Sequence, residues 1–449
     1  MSNKKKITDK TVVSSIADSD MLIGNFGGKV GQITMQNFRT ALNTDDRETL
    51  ETLAFSLDIN GASSKGSAYV DVGGNPRMRE MWESLSVDII MNKDGYYTEL
   101  NPNDCRFTAD GQEVIDTATG KVTDRFSHCD FMVRRPQTYG RVVTRLVGSV
   151  TKTLLYLSPL PLPNGFVIPE IVVGKFKTYV LDDAMRSLPG YIPTNYKSIN
   201  AFWTCAQKRS KNHGIANLDF RNYLLWYMMS KYGYRDSQNC KGSDGTPIWG
   251  VGLDGTESTG SDKFTCQKSI VTGHTLSLGN NDGKTAVTDA DGTIVHGVNV
   301  AGFENPWGQY WEMVQGLCSV GTDVYCWRHN WLPSGTPTAD TFVNVDHVLL
   351  TRATSVAWGM NIITSKEGQG VYMIPKQDIS GISYGDNYWY SASGQLWLWG
   401  GSSYLGSYCG LAFSSSNGDW SDSYPTVSAR LAYYGSTQRV TSTQLAGLT

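Results

Sequence analysis

Charge is scarce in this chain of 449 residues: 18% are Asp, Glu, Lys or Arg, and 39 basic against 42 acidic side chains leave a formal net charge of -3. Electrostatic binding to nucleic acid needs a basic stripe. Only Lys4 to Lys6 and Lys208 to Lys211 cluster, and both read as solvated faces. No apolar run reaches the roughly 18 residues of a membrane span, and NKKKITDKTVV lacks the apolar segment of a secretion signal. None of the eight cysteines (Cys105, Cys129, Cys205, Cys240, Cys266, Cys318, Cys326 and Cys409) forms a CxxC. Zinc needs ligands paired at short spacing, and the nearest approach, Cys318 and Cys326 with His329, matches no such spacing. In a reducing cytosol such thiols are free and buried, with Cys409 the candidate surface exception. An EF-hand loop needs alternating carboxylates, Gly at the sixth position and Glu at the twelfth; NNDGKTAVTDADG lacks that order, so calcium is confined to a structural role in the 280–292 loop. No Ser/His/Asp order, P-loop or framed carboxylate pair is present, so no catalytic residue, metal ligand or cofactor is expected.

What the chain has in abundance is glycine, 47 residues, and an aromatic run near its end. Residues 400–435, GGSSYLGSYCGLAFSSSNGDWSDSYPTVSARLAYYG, are rich in Tyr, Trp, Ser, Gly and Asn. Thirteen aromatics lie between Tyr384 and Tyr434, with Asp386, Asp419, Asp422 and Arg430 the only charged residues among them. Tyr and Trp give rigid contact area at low entropic cost, and Ser, Gly and Asn adaptable hydrogen bonding, which is the chemistry of a binding face. The alternative is the aromatic core of a β domain. Two observations favour a face: the rings alternate with Ser and Gly rather than Val, Ile and Leu, and buried Tyr or Trp needs a partner for each polar atom. Alternation puts Trp397 and Trp399 on one side of a strand and Leu396 and Leu398 on the other. Leucine being the better core residue, the tryptophans are expected outward.

Turn signals organise the rest. Met21 to Ile23 and Val30 to Ile33 read as two short strands, Met35 to Leu42 as a short helix after Thr34, and residues 45–54, DDRETLETLA, as a linker helix. SAYVDV and SVDIIMN read as strands, and NKDG as a hairpin turn. CDFMVRRP, 129–136, reads as a strand, and Pro159, Pro161 and Pro163 mark an extended connection. SINAFWTCAQKRSKN and LDFRNYLLWYMMSKYG have helical spacing, Asp219 in a first turn and Gly233 as a stop. Trp203, Tyr223, Trp226 and Tyr227 are core candidates.

Three ordered segments carry a resemblance. GFENPWGQYWEMVQGL, 302–317, looks like the G-x-E-N-x-x-G-x-x-W-E-x-x-x-G-L signature of formylglycine-generating-enzyme-like lectin folds; residues 201–239 look like the helical part of that family. Gly400, Gly401, then CGLAF, 409–413, then SARLAYYG, 428–435, resemble the variable proteins of diversity-generating retroelements. At the other end, residues 7–42 resemble the attachment modules of phage fibres through Thr11, Asp18, Asp20, Leu22, Ile23, Lys29, Ile33, Thr34, Asn37 and Phe38. The resemblance implies an α+β protein: a C-type-lectin-like C-terminal domain with two helices packed on short twisted sheets, preceded by small β-rich N-terminal modules. Boundaries are expected at 1–44 for virion attachment, 45–125 for a linker helix and β-rich region, and 126–449 for the lectin-like domain, variable-looking over about 384–435. It implies a phage fibre protein, of tail or head, that binds a host cell-surface protein or glycan, contacts other virion proteins through its N-terminus, forms a homotrimer and does not insert into membranes. A virion decoration protein or a bacterial surface adhesin is the alternative. Oxidases of the fold need a pair of reactive cysteines near the C-terminus, where Cys409 stands alone, and a glycan depolymerase has no recognisable catalytic frame here. The expected receptor face is Tyr388, Tyr390, Trp397, Trp399, Ser403, Tyr404, Ser407, Tyr408, Ser415, Asp419, Trp420, Asp422 and Tyr424, with Trp307, Trp311 and Glu312 structural.

Overall fold

A computed structural model describes residues 21–26, 29–34, 46–58, 74–147, 149–234, 237, 240, 270–288, 292, 294–320, 323–326, 346–349, 358–364, 371–377, 388–390, 396–402 and 409–448. They form a mixed α+β structure, mostly sheet with few helices. The expected helix 35–42, the strand SAYVDV and the side chains of Ser403, Tyr404, Ser407 and Tyr408 lie outside the described residues. Among those described, no helix is long and apolar enough to cross a membrane.

The chain divides into two compact units, one of Met1–Ile59, Val70–Leu85 and Pro136–Pro169, the other of Asn60–Tyr69, Ser86–Arg135 and Glu170–Thr449. The boundary expected at 125 is therefore corrected: residues on both sides of it share one sheet, and the smaller unit is assembled from separated segments. Near the N-terminus, Met21–Phe26 and Lys29–Thr34 pair antiparallel, leaving residues 27 and 28 between them. The smaller unit also holds an antiparallel sheet ordered Phe166–Ile168, Thr138–Val147, Val150–Ser158, Phe55–Asp58. Leu50 and Leu53 of the helix Asp46–Leu53 share an apolar cluster with Leu154, Tyr156 and Leu162. Trp82, in the helix Pro76–Glu83, meets Phe55 edge-on at 5.5 Å. The prolines follow the last paired residue of Val150–Ser158, as expected of residues that cannot donate to a ladder.

Two large sheets, of eight and seven strands, dominate the larger unit among the described residues. The first runs His213–Ile215, Leu431–Tyr433, Ile171–Gly174, Asp130–Arg135, Val87–Met91, Tyr96–Asn101 and Gln438–Arg439, with Asp104–Thr108 paired to Tyr96–Asn101. Its NKDG turn forms as expected: Asn92 Oδ1 accepts from Asp94 N at 3.0 Å and Tyr96 N at 3.1 Å, and Gly95 has φ 91°. The second sheet runs Asp346–Leu349, Asp323–Cys326, Trp311–Val320, Leu396–Trp399, Ser414–Gly418 and Tyr388–Tyr390, and Val427–Ser428 joins Trp311–Val320 in parallel. Residues of both sheets, among them Ile89, Met132, Val172, Trp311, Met313, Leu396 and Leu398, form one apolar core with Phe413 and with Ile199, Phe202 and Ala206.

Both helices predicted for this unit are present. Ser198 Oγ caps Ile199–Arg209 by accepting from Ala201 N at 3.3 Å. Asn217 Oδ1 caps Leu218–Tyr232 by accepting from Phe220 N at 3.3 Å, and Gly233 ends it in the left-handed region at φ 71°. Leu218 to Ser230 are all buried, so this helix is enclosed on every side rather than along one stripe. Tyr223, Trp226 and Tyr227 are core residues; Trp203 is partly buried against the core.

Candidate functional site

Position 312 organises the larger unit. Glu312 lies in the strand Trp311–Val320, wholly buried, and its carboxylate meets three cations. Arg221, from the enclosed helix, donates Nη2 to Oε2 at 2.5 Å. Arg430, just before the strand Leu431–Tyr433, donates Nη2 to Oε1 at 2.9 Å and Nε to Oε2 at 3.2 Å. Lys177 Nζ donates to Oε1 and, at 2.7 Å, to the carbonyl of Asn305. Further donors of the two arginines reach main-chain carbonyls: Arg221 Nη1 that of Pro306 at 2.9 Å, Arg430 Nη1 that of Lys175 at 2.6 Å, and Arg430 Nη2 that of Glu304 at 2.9 Å, while Arg221 Nε is buried without a partner.

The letters of the 302–317 motif thus acquire physical roles. The Glu304 carboxylate accepts from the backbone of Gly273 and Thr275, each at 2.9 Å, and from the Thr275 hydroxyl at 2.7 Å. Asn305 Oδ1 accepts from Val298 N at 2.9 Å. Lys175 Nζ ties the carbonyl of Gly302 to the buried Asp88 carboxylate, each at 2.7 Å. Trp307, Trp311 and Glu312 are buried, in agreement with their structural assignment.

The electrostatics follow from three positive groups sharing one negative group. Burial alone would raise the Glu312 carboxyl, but Arg221, Arg430 and Lys177 outweigh it and hold it well below the usual carboxylate range. Burial pulls Lys177 down to about 7, against the attraction of Glu312 and with the repulsion of Arg430 and Arg221 added. The lowering reaches further at the lysine because a guanidinium gives up its proton far less readily; Arg221, also lowered by burial, falls only to about 10. A second buried carboxylate, Asp130, is shared by Arg186 Nε and Arg209 Nε, each at 2.8 Å. Burial opposes its charge, and the two arginines overcome that and lower its pKa.

The glycine pair beside this lattice is required by geometry. Gly400 and Gly401 have φ of 88° and 72°, and a Cβ on Gly401 would lie 2.6 Å from Cys409 Sγ and 2.8 Å from Phe413 Cδ1. Cys409 is wholly buried and donates to the carbonyl of Ser402 at 3.0 Å, which corrects its expected surface position. Cys105, Cys129 and Cys205 are free thiols, and they and Cys240 are buried. Among the described residues no three His, Cys, Asp or Glu side chains group as metal ligands. In the 280–292 loop, Asp282 is engaged by Tyr227 Oη and Lys231 Nζ at 2.8 Å each, Tyr232 Oη at 2.5 Å and Ala301 N at 2.6 Å.

The structure divides the predicted face. Trp397 and Trp399 are 0% exposed, so their outward assignment is corrected. Leu396 and Leu398 are buried as well: this strand lies inside its sheet and both its sides are covered. Trp399 is paired with Ser414 and Leu398 with Ser415. Ser414, Ser415 and Ser416 are buried too. Here serine serves as the small residue that leaves room for indole rings, the large-to-small fit of a packed layer. Ser415 and Trp420 are accordingly corrected to core positions. Tyr388 and Tyr390 lie in a strand parallel to Ser414–Gly418, and their side chains are outside the description.

Asp419, Asp422 and Tyr424 are at the surface. They belong to a turn closed by Asp419 N donating to Asp422 Oδ2 at 2.7 Å and by the Ser421 amide and hydroxyl donating to Asp419 Oδ1 at 2.9 and 2.8 Å. The turn is tied to a segment absent from the expected face. Asn195 Nδ2 donates to the carbonyl of Pro425 at 2.7 Å, Tyr196 N to that of Tyr424 at 3.2 Å, and Ser428 Oγ to that of Thr194 at 2.7 Å. The signal for this segment was its composition: YIPTNYKS, 191–198, has two tyrosines and a serine among eight residues, the Tyr and Ser usage of the 400–435 run.

No family model matches this chain, and comparison with curated proteins finds no match.

Proposed function

We propose that this chain is a receptor-binding protein of a bacteriophage fibre, with a C-type-lectin-like domain that attaches the virion to a host cell-surface ligand. The observation that carries the reading is the pair of bonds from Arg430 to Glu312 at 2.9 and 3.2 Å. It joins SARL to G-x-E-N-x-x-G-x-x-W-E, two segments on which the lectin-fold resemblance rests, at one buried carboxylate. The stretch between Gly400 and Arg430 is held at both ends, since the Gly400 carbonyl accepts from Gly308 N at 3.0 Å, and Asp419, Asp422 and Tyr424 within it face solvent. A rigid frame carrying exposed Tyr, Ser and Asp suits binding, because preordered side chains lose less freedom on association. The N-terminal resemblance supports virion attachment, and several linked copies, a homotrimer in this reading, would convert weak single-site contact into avidity.

The test is adsorption of the fluorescently labelled chain to a panel of bacterial cells, with competition against phage infection. Saturable binding to a strain that the chain then protects from infection is expected, with and without EDTA. Absence of saturable adsorption to every strain, or adsorption that never competes with phage, would overturn the reading.

A further inference from the structure

Tyr196 stands where tyrosine is not required by the fold. Its φ is 55°, in the left-handed region that favours glycine or asparagine. Packing does not compensate, because the residue is 61% exposed. It is fixed to Tyr424, itself 44% exposed, by the backbone bond of 3.2 Å, and Asn195 secures the next residue, Pro425. Trp420, in the core, anchors the turn from below. Two surface rings distant in sequence are thus held on adjoining backbone.

Two carboxylates surround Tyr424. Asp422, then burial, raises the Tyr424 hydroxyl, with Asp419 adding to the effect, so both carboxylates act on this ring. Neither Asp419 nor Asp422 makes an ion pair among the described residues. The nearest cation in sequence, Lys197, acts on Asp183, whose principal partner is Lys208 at 2.8 Å. Aromatic faces attract cations through their quadrupole, and carboxylates bonded within their own turn, Asp422 to the Tyr424 hydroxyl among them, keep free lone pairs for charge-assisted hydrogen bonds to the same partner.

We propose that Tyr196 and Tyr424, with Asp419 and Asp422, form a recognition site for a basic side chain, arginine or lysine, of a receptor protein, an inference that rests on the receptor-binding reading above. The rings cover the apolar stem and flat face of such a group, and the carboxylates take its N–H donors. Arginine fits better than lysine, since its planar fork both stacks and bonds bidentately.

The test uses the full chain and three variants, Tyr196→Gly, Tyr424→Ser and the double variant Asp419→Asn/Asp422→Asn. Each is titrated calorimetrically with an acetylated Arg-Gly-Arg-Gly-Arg peptide, its lysine counterpart and the neutral oligosaccharide maltohexaose, and each is assayed for cell adsorption. The arginine peptide is expected to bind saturably, more weakly as salt rises, and at least about tenfold more weakly to each variant. Tyr196→Gly is expected to melt at or above the wild-type temperature, because glycine relieves the backbone; lost binding with retained stability separates recognition from folding. Equal peptide binding by wild type and variants, or saturable binding of maltohexaose with none of either peptide, would overturn the proposal. Wild-type adsorption to cells alongside failed peptide binding rejects this inference alone, whereas absence of adsorption rejects the receptor-binding reading as well.

Discussion

Two neighbouring regions of the larger unit use charge in opposite ways. In the lattice formed by residues 302–312 with Lys177, Arg221 and Arg430, every charged side chain is buried and bonded to several partners. In the turn 419–424, Asp419 is exposed and Asp422 half-buried, and their bonds stay within the turn. A buried charge is fixed by its partners, since removing one leaves the others uncompensated. A solvated charge can be exchanged at little cost to the fold. The contrast separates residues that hold the unit together from residues free to vary with a ligand, and the aromatics divide in the same way, Trp399 and Trp420 inside, Tyr196 and Tyr424 outside.

The hardest test of that division removes the centre of the lattice. Glu312→Ala leaves two guanidinium groups and an ammonium buried around a cavity. The expected loss is about 3–5 kcal/mol, the scale for a broken buried pair, read as a collapse of the chemical-denaturation midpoint. A variant that unfolds at the wild-type denaturant concentration would refute the lattice as the structural centre.

Next comes a pair of substitutions four residues apart. Trp420→Ala empties a core position and is expected to cost about 3–5 kcal/mol. Tyr424→Ala, on the exposed side of the same turn, is expected to change stability by about 0.5 kcal/mol or less. Thermal melts of the two variants decide it; equal losses would erase the boundary between frame and face.

Much of the frame was legible from local chemistry. Ser198, Asn217 and Gly233 are cap residues whose side chain or missing Cβ specifies a helix end without reference to the rest of the chain, and the NKDG turn is equally self-contained. What was not legible depends on what covers a strand. Alternation assigns Trp397 and Trp399 to the side opposite Leu396 and Leu398, but cannot say whether both sides are enclosed, and here they are. The serines misled for the same reason: beside an exposed strand they are contact groups, beside a packed indole they are space. Lys177, Arg221 and Arg430 could not be read as buried, because their partner Glu312 is distant in sequence from all three. Nor does composition reveal that compact units interleave along the chain, which is why the boundary at 125 failed. Tyr196 was missed because its segment precedes the aromatic run; only hydrogen bonds to Tyr424 and Pro425 bring it there.

The lattice should also disclose itself by pH. Lys177 has a folded pKa of about 7 against an ordinary value of 10.5, so between these the unfolded chain binds the extra proton and stability rises with pH. The contribution is complete above the ordinary value and is lost as pH falls through about 7. Buried thiols act oppositely above their ordinary 9.0, as Cys129 does when burial pushes it to about 12, so the clean window runs from about 7 to 9. Stability is expected to climb there, by at most about 1.4 kcal/mol per pH unit for one proton. Lys177→Met should flatten the slope while leaving stability at pH 7 little changed, because two arginines still balance Glu312. An unaltered slope in denaturation series across that window would show that Lys177 is not the titrating group.

A small effect is also expected at Cys409, which sits within the aromatic run yet belongs to the frame. Its thiol is enclosed between the Gly401 backbone and the Ser402 carbonyl that it bonds at 3.0 Å. Cys409→Ser keeps a donor of similar length and loses only some apolar contact, so a cost of about 1 kcal/mol or less is expected, with cell adsorption unchanged. The complementary measurement is alkylation of the native protein by iodoacetamide, followed by peptide mass mapping. A buried neutral thiol should react only as fast as the unit opens, since the thiolate is the nucleophile and needs access. Rapid modification of Cys409 under native conditions, accompanied by lost adsorption, would move this residue from the frame to the face and break the division where the two regions lie closest in sequence.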